Sequence, residues 1–304
     1  MNGKVLVIDI GGTYIKYGLI DDSFKITDQS KIATPHKSRE AFFTTIQFLY
    51  KKFKPQISGI ALSAPGIIDI ENGHWIIAGA LRHLHNTQIV KEISKRCDDI
   101  LVTIENDGNA AALCEAYIGN AKDSDSSVSL VFGTGIGGSL VKNRQIIRGN
   151  NLIAGEFGQL FIDFENDESY TVFGEKYSTI AIIKSVKETL NTENMNGELM
   201  MKLYKDGHRD VRNILDNWFR VIAKLCFNID CFYNPGMICI GGGISMNPLF
   251  IIRIQEEVAN IGKSINAFRF PCVVECLYHN DANLIGAYCA FVNQKNRELL
   301  LYNY

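Results

Sequence analysis

The sequence predicts an α/β protein built from two related domains. Predicted strands and helices alternate along the 304 residues, which is typical of this fold class. One unit, made of a strand, a glycine-rich turn and a second strand, occurs at 4–20 and again at 128–142. This repetition indicates a duplicated architecture with a cleft between the halves. We expect domains at 1–118 and 119–280, with a C-terminal helix at about 281–304 that packs back on the first.

The elements of the first half follow from apolar periodicity and from helix-breaking residues. Alternating apolar positions predict strands at 4–10 and 14–20, which a tight glycine turn joins as a β-hairpin. Helical spacing predicts a helix at 41–53 that ends before Pro55. A short apolar strand at 57–62 then runs into a Pro-Gly turn. Further predicted elements are helices at 90–96 and 109–117 and a strand at 100–104.

The second half begins with the repeated hairpin and then becomes rich in helices. Its predicted strands are 128–132, 139–142, 145–148 and 237–240. Its predicted helices are 178–190, 197–204, 211–232, 248–260 and 281–293. Gly133, Gly135 and Gly138 satisfy the dinucleotide fingerprint G-x-G-x-x-G, but that fingerprint requires a helix after it. A strand follows here, so the sequence excludes a Rossmann site.

Composition and charge narrow the class of partner. The 31 Lys and Arg residues against 33 Asp and Glu give a net charge of −2, which leaves no excess charge for a nucleic acid or an anionic membrane. The eight cysteines form no Cys-x-x-Cys pair and are expected to be buried free thiols in a reducing cytosol. No signal-peptide core and no run near the roughly 20 apolar residues of a membrane span occurs. We expect a soluble, cytoplasmic protein with a small-molecule partner.

Three glycine clusters, each directly after an apolar strand, predict a phosphate-binding site. They begin at Gly11, Gly133 and Gly241. Glycine lets backbone N–H groups approach a ligand closely, so such turns can cradle phosphates. One cluster alone would more often be structural, but two of the three lie in the repeated hairpin. Because no P-loop pattern G-x-x-x-x-G-K-[ST] occurs, we predict a nucleotide bound between the two hairpin turns.

Three carboxylates, two near predicted strand ends and one in a turn flanked by glycines, are candidates for chemistry. Asp107 lies between a strand and a helix, where it would either cap the helix or act as a general base toward a substrate hydroxyl. Glu156, in a turn flanked by glycines, would be either a surface-turn residue or a fixed acceptor for a hydroxyl-rich substrate. Asp9 lies at the end of the first strand beside the first glycine turn, which favours Mg²⁺ bound through water over a merely solvated hairpin end.

Motifs in a defined order extend over nearly the whole chain. They are Asp9-Ile10-Gly11-Gly12-Thr13, Ser63-Ala64-Pro65-Gly66, Glu105-Asn106-Asp107-Gly108-Asn109-Ala110-Ala111, Gly133-Thr134-Gly135-Ile136-Gly137-Gly138, Ala154-Gly155-Glu156-Phe157-Gly158, Gly241-Gly242-Gly243-Ile244-Ser245 and Asn283-Leu284-Ile285-Gly286-Ala287. In this order and rough spacing they resemble the ROK family of repressors, open reading frames and sugar kinases.

The resemblance implies the two-domain actin-like ATPase fold of sugar kinases, with RNase-H-like sheets and an interdomain cleft that closes on ATP, Mg²⁺ and a hexose. Asp107 would be the catalytic base, and Asp9 would bind the metal. Sugar hydroxyls would contact Gly66, Asn106, Asp107 and Glu156. The phosphates would contact Gly11, Gly12, Thr13, Gly133, Thr134 and Gly135, and the adenosine would contact Gly241, Gly242 and Gly243.

The chain departs from the family pattern after the glutamate turn. Many family kinases have a histidine there, followed by a zinc-binding cysteine segment. Here Gln159 takes the place of the histidine, and no cysteine lies between Cys114 and Cys226, so we expect no zinc site. Glu175 is an approximate counterpart of the sugar-binding glutamate that normally follows the zinc segment. The acceptor is therefore open among a β-glucoside, glucose and N-acetylmannosamine.

Two other functions can be weighed against a kinase. Family repressors carry a DNA-binding domain before the first motif, and this motif begins at Asp9, so we do not expect a repressor. A non-catalytic sugar sensor that acts through a protein partner is the alternative. Asp9, Thr13, Asp107 and Thr134 argue against the sensor, because a pure sensor does not need both phosphate turns together with a catalytic base. The resemblance also implies a homodimer.

Overall fold

The structure, a computed structural model, describes residues 3–162 and 170–301. Its strands are β1 (Lys4–Ile10), β2 (Tyr14–Ile20), β3 (Thr27–Ala33), β4 (Ile57–Ala64), β5 (Ile67–Asp69), β6 (His74–Ile77), β7 (Val102–Asn106), β8 (Ser126–Phe132), β9 (Ile136–Lys142), β10 (Gln145–Ile147), β11 (Met237–Gly241) and β12 (Val273–Glu275). Its α-helices are α1 (Arg39–Phe53), α2 (Ile89–Arg96), α3 (Asp107–Tyr117), α4 (Phe173–Tyr177), α5 (Thr179–Leu190), α6 (Gly197–Lys205), α7 (Arg209–Phe232), α8 (Pro248–Ser264) and α9 (Ala282–Leu301).

Two five-stranded sheets share one topology. Their strand orders are β3-β2-β1-β4-β7 and β10-β9-β8-β11-β12. In each sheet the first three strands in sequence are antiparallel neighbours, and the last two are parallel to the central strand. β5 and β6 form a separate antiparallel pair. The duplication predicted from the repeated hairpins is confirmed by this identical order and direction.

The chain divides into two compact units, each containing one of these sheets. The described residues of the first unit are 3–117, 148–153 and 280–301. Those of the second are 118–147, 154–162 and 170–279. Within the described residues, no helix is both long and apolar enough to cross a membrane.

The first sheet has an apolar face and a face with a polar edge. Leu6, Ile8 and Ile10 of β1 are buried in a core that α1 and α2 complete. Residues alternate between the two faces of a strand, so Asp9 lies on the opposite face. There α9 covers the sheet, and Asn283 from its first turn donates a hydrogen bond to Asp9. Packing of α9 therefore places a polar side chain at the end of β1.

An aromatic cluster centres the core of the second unit. Trp218 of α7 packs against Phe132 and Phe250, with ring centroids 6.2 and 5.0 Å apart. Its indole N–H donates to the Tyr177 carbonyl at 2.8 Å, so the buried ring leaves no unpaired donor. Because Phe132 ends β8, this core fixes the strand directly before the second glycine turn.

Most of the predicted helices are present in the structure, but several small elements were not predicted. The predicted strand at 100–104 lies instead at Val102–Asn106, and α9 ends at Leu301, between the two predicted limits of residues 293 and 304. β3, β5, β6, β12 and α4 were not predicted. β3 has the sequence Thr-Asp-Gln-Ser-Lys-Ile-Ala and is largely exposed, so it lacks the apolar alternation used to recognise strands. All eight cysteines are free, as expected, but Cys231 and Cys272 are exposed rather than buried.

Gly286 lets α9 lie directly on α3. A methyl group at this position would overlap the carbonyl group of Ala110 in α3. This contact gives a structural reason for the glycine in the motif Asn283-Leu284-Ile285-Gly286-Ala287, because Asn283 reaches Asp9 only if α9 is seated.

Gly286→Ala is expected to lower the free energy of unfolding by about 1–3 kcal/mol, the usual cost of overpacking. In a helix with free space around the glycine, Gly→Ala would raise the free energy of unfolding. A decrease therefore indicates the close contact with α3. Urea denaturation midpoints measure it. Gly197→Ala, where the methyl would meet only Ile244 Cδ1 at 3.5 Å, should leave the midpoint unchanged or slightly higher. Equal midpoints for Gly286→Ala and wild type would contradict this role.

Candidate active site

The first glycine turn has its carbonyl groups fixed by neighbouring residues. Thr34 Oγ1 donates to the Gly11 carbonyl oxygen, and His36 Nε2 lies 2.7 Å from that of Gly12. The Thr34 backbone N–H donates to the Thr13 carbonyl oxygen at 3.0 Å. In a trans peptide the N–H points away from the carbonyl, so the N–H groups of Gly12 and Thr13 face the opposite side. The turn is thus preorganised to bind an anion.

Asp9 is a buried carboxylate held by two neutral donors. Its Oδ1 accepts hydrogen bonds from Ser63 Oγ and Asn283 Nδ2, both at 3.1 Å. Burial raises its pKa, while these hydrogen bonds and the charge of Lys16 act in the opposite direction. A buried anion with neutral donors gains stability from a cation, and carboxylate oxygen is a preferred Mg²⁺ ligand. The environment of Asp9 therefore fits a Mg²⁺ ion.

Asp9→Asn is expected to raise the unfolding midpoint of the ligand-free protein at pH 7. A raised pKa in the folded state means that ionisation of Asp9 costs stability above the ordinary carboxyl pKa of 3.8. The advantage of the variant should therefore shrink as the pH falls toward that value. Denaturation midpoints at several pH values measure it.

Asp21→Asn is the control, because a hydrogen bond from Ser23 lowers the pKa of that exposed carboxyl. Neutralising Asp21 should not stabilise the protein at pH 7. An unfolding midpoint of Asp9→Asn at or below that of wild type at pH 7 would contradict the expected cost of ionising Asp9.

Asn106, and not Asp107, caps helix α3. Asn106 Oδ1 accepts the Asn109 N–H at 3.0 Å, and its amide donates to the Gly66 carbonyl oxygen at 2.9 Å. The capping role considered for Asp107 is therefore wrong. Asp107 is the first helical residue, and its Oδ1 accepts the Gly108 N–H at 2.8 Å. The helix dipole favours its ionised form, which a general base requires.

Gly66 occupies a position that only glycine can take. Its φ of +93° lies in the left-handed region, and a Cβ would overlap the Ile77 carbonyl group. Trp75 Nε1 fixes the preceding residue by donating to the Pro65 carbonyl oxygen at 2.9 Å. The motif Ser63-Ala64-Pro65-Gly66 thus spans the end of β4, and Gly66 and Asn106, both predicted to bind sugar, lie together.

Glu105 and Arg148 form a buried ion pair beside Asn106. Arg148 donates from both terminal nitrogens to the two carboxylate oxygens, at 2.8 and 2.5 Å. The Glu105 side chain is only 2% exposed, and Asn109 Nδ2 also donates to it. A bidentate guanidinium pair has a defined geometry. It therefore fastens residues 148–153 to the strand that carries Asn106 and leads into Asp107.

Arg148→Met is expected to lower the free energy of unfolding by about 3–5 kcal/mol, because Glu105 would remain as a buried, uncompensated charge. Adding Glu105→Gln should recover much of the loss. Denaturation midpoints of the single and double variants measure this coupling. Arg96→Met is the matched control, since its partner Glu40 is 67% exposed and the loss should be about 1 kcal/mol or less. Similar losses for Arg148→Met and Arg96→Met would contradict the importance of burial.

In the second unit, two glycine clusters meet at one pocket. Gly242 has φ +98°, and a Cβ there would overlap the carbonyl group of Phe132, which directly precedes Gly133. Gly133, Thr134 and Gly243 line a pocket of about 810 Å³, a volume typical of small-ligand sites. Its other lining residues are Phe132, Thr179, Ile180, Asn196, Gly197, Glu198, Ile244, Met246, Asn247 and Pro248. This pocket can accommodate a nucleoside next to a phosphate turn.

Glu156 lies in a turn packed on the second hairpin. Gly158 rests on the backbone of Ile136, and Phe157 is buried. Partial burial raises the pKa of the Glu156 carboxyl. The Gln159 N–H donates to the Glu156 carbonyl oxygen at 3.0 Å, so the two predicted sugar ligands share one turn.

Glu175 lies in α4 and lines a different surface pocket, of about 620 Å³, with residues of α5 and α7. Its contact with sugar stays a prediction. Part of the diverged segment 159–179, namely 163–169, lies outside the described residues. Among those that are described, no group of three or more His, Cys, Asp or Glu side chains could hold a metal ion.

Several residues around the site were missed by sequence reasoning. Ser63 and Asn283 were quoted within motifs but received no role, although both contact Asp9. Lys16 and Arg148 were not singled out. Lys16 could have been found from the predicted hairpin, because antiparallel pairing of its two strands places Lys16 opposite Asp9. Arg148 offered no local signal, since its partner is 43 residues away.

The ROK family model matches residues 5–294. The chain belongs to the ROK family. It is 28% identical over 301 residues to a β-glucoside kinase of Listeria innocua, covering 97% of this chain and 99% of that protein. A ROK family protein from Streptococcus pneumoniae, crystallised with sucrose, has a TM-score of 0.88 and 28% identity over 97% of this chain and 99% of that chain.

A ROK family glucokinase from Streptomyces griseus, crystallised with glucose and AMPPNP, has a TM-score of 0.74. It is 21% identical, covering 94% of this chain and 98% of that one. Similarity at this level of identity supports a shared fold alone. The predicted actin-like ATPase fold, which these ROK structures share, is confirmed.

Proposed function

We propose that the chain is an ATP-dependent kinase that phosphorylates the 6-hydroxyl of a hexose or hexoside, with β-glucosides as the first candidates. The arrangement at the end of β7 carries this proposal: Asn106 caps α3 and contacts Gly66, so Asp107 is the first residue of the helix, where the helix dipole favours a carboxylate. Two phosphate turns and the family membership support it. The similarity to a β-glucoside kinase supports the choice of acceptor.

In the proposed reaction, sugar hydroxyls bind to Gly66, Asn106, Glu156, Gln159 and Glu175. Asp107 accepts the proton of the sugar 6-hydroxyl. The oxygen of that hydroxyl bonds to the γ-phosphorus, and the bond between the γ-phosphorus and the leaving oxygen of ADP breaks.

Backbone N–H groups of the two glycine turns stabilise charge on the transferred phosphoryl group. Asp9 would hold Mg²⁺, which neutralises phosphate charge when bound. Gly241, Gly242 and Gly243 would lie against the adenosine.

Several other expectations remain predictions. These are the homodimer, the cytoplasmic location, the absence of nucleic-acid and membrane partners, the absence of zinc, and the domain limits at 118/119 and 280/281.

Asp107→Asn is expected to lower kcat by roughly 10²–10⁴, the usual range for loss of a general base, without loss of the fold. ADP release with ATP and Mg²⁺ measures it against glucose, mannose, cellobiose, gentiobiose, N-acetylglucosamine and N-acetylmannosamine. Turnover should be highest with cellobiose or gentiobiose.

Asp28→Asn, in the exposed part of β3, is the control and should retain wild-type turnover. Near-normal turnover of Asp107→Asn would exclude Asp107 as the base. The sensor would be favoured if sugar raised the melting temperature of the wild-type protein, while ATP with Mg²⁺ neither raised it nor supported phosphorylation of any sugar.

A further inference from the structure

A pair of exposed aromatic rings follows the Glu156 turn in the second unit. Phe161 forms an antiparallel bridge with Val172. Tyr170 lies two residues before Val172, and its ring meets that of Phe161 edge to face, with centroids 6.0 Å apart. Phe161 is 52% exposed and Tyr170 is 77% exposed. The chain thus presents two neighbouring aromatic rings to solvent.

The backbone next to this pair is held by the core of the unit. The Phe173 N–H donates to the Leu160 carbonyl oxygen at 2.7 Å, and the Phe173 ring is buried in the core. Gly174 packs on the Glu156 turn, because a Cβ at Gly174 would lie 3.1 Å from the Gly158 carbonyl oxygen. These contacts fix the position of the aromatic pair relative to that turn.

The aromatic pair lies close to two proposed sugar ligands. Gln159 shares one turn with Glu156, whose carbonyl oxygen accepts the Gln159 N–H. Phe161 follows Gln159 by two residues, which span at most about 7 Å of chain. A group joined to a sugar that these two side chains bind would therefore extend within reach of Phe161.

The chemistry of the pair suits a second sugar ring. Exposed apolar surface is unfavourable in water, and a patch of it next to polar groups typically marks a binding site. A pyranose ring carries hydroxyls around its edge and C–H groups on its faces. Those faces can pack on an aromatic ring, because its electron-rich face attracts C–H hydrogens. A disaccharide would use both the hydrogen-bonding side chains of the turn and the apolar rings beside them.

We propose that Phe161 and Tyr170 form a platform that binds the second ring of a β-linked disaccharide whose first ring is the phosphoryl acceptor. This inference rests on the proposed function and assigns its acceptor specificity to two named side chains. The platform does not touch the reacting atoms. Its loss should therefore raise KM for disaccharides and leave kcat nearly unchanged.

The test compares acceptors with and without a second ring. Titration calorimetry without nucleotide gives Kd for cellobiose, gentiobiose and methyl β-glucoside with wild type, Phe161→Ala and Tyr170→Ala. Each variant should bind the disaccharide that wild type prefers about tenfold more weakly, because less apolar ring surface is covered. Binding of methyl β-glucoside should not change.

Phe232→Ala is the matched control, because Phe232 is an aromatic residue of the same unit and is 85% exposed at the end of α7. It should bind all three sugars like wild type. Phe161→Tyr keeps a ring and should retain disaccharide affinity. Thermal unfolding checks the fold of each variant, which substitutions at exposed positions should leave intact.

Three binding results would overturn the platform. The first is equal disaccharide affinity of wild type and both alanine variants. The second is an equal loss of disaccharide and methyl β-glucoside binding in folded variants, because that pattern indicates damage to the first-ring site. The third is a wild type that binds neither disaccharide more tightly than methyl β-glucoside.

Light scattering tests a different occupant of the platform, a second copy of this chain. If the alanine variants dissociate an oligomer and keep their disaccharide affinity, the aromatic pair is a contact between copies and the proposal is wrong. An unchanged molar mass together with weaker disaccharide binding would support the platform.

Failure of this inference can be told apart from failure of the kinase proposal. If sugars are phosphorylated but Phe161→Ala and Tyr170→Ala keep the wild-type KM for disaccharides, the platform is wrong and the kinase stands. If no sugar is phosphorylated but both variants lose disaccharide binding alone, the platform binds sugar in a protein that is not a kinase of those sugars.

Discussion

The register of three parallel strands determines where the polar side chains of the candidate site lie in the first unit. β1, β4 and β7 align Asp9 with Ser63 and Ser63 with Glu105. Parallel strands end at the same edge of a sheet, so the glycine turn, the Pro65-Gly66 turn and the start of α3 follow one another along that edge. A slip by one residue would turn Asp9 into the apolar core. The positions of Asp9, Ser63 and Glu105 therefore depend on the same hydrogen bonds that build the sheet.

Burying this polar row imposes requirements on distant parts of the chain. Asp9 needs donors, and Asn283 of α9 supplies one from 274 residues away. Glu105 needs a counter-charge, and Arg148 supplies it from the segment after β10. Gly286 lets α9 approach closely enough for the first contact. A helix and a loop that look purely structural in the sequence thus complete the electrostatics of the site.

What could be predicted depended on local pattern. The helices with clear apolar spacing and the paired hairpins were found because burial of one face leaves a period in the sequence. β3 was missed because an exposed, polar edge strand has no such period. The carboxylates were found from their position after strands, but Asn106 was not recognised as the helix cap because either residue could cap α3. Lys16 and Arg148 acquire meaning only through pairing with residues on other strands or loops.

The two units use one scaffold but distribute charge differently. In the first sheet, register aligns Lys16, Asp9 and Ser63. The corresponding positions of the second sheet are Gly137, Val131 and Gly241. Duplication of the backbone supplies a glycine turn in each unit, whereas these three aligned positions carry charged side chains in the first sheet only. Neutral residues at these three positions leave the second sheet without the buried carboxylate that Asp9 supplies at the same level of the first sheet. The divergence of these three positions therefore makes the surroundings of the two glycine turns electrostatically different, although their strand topology is the same.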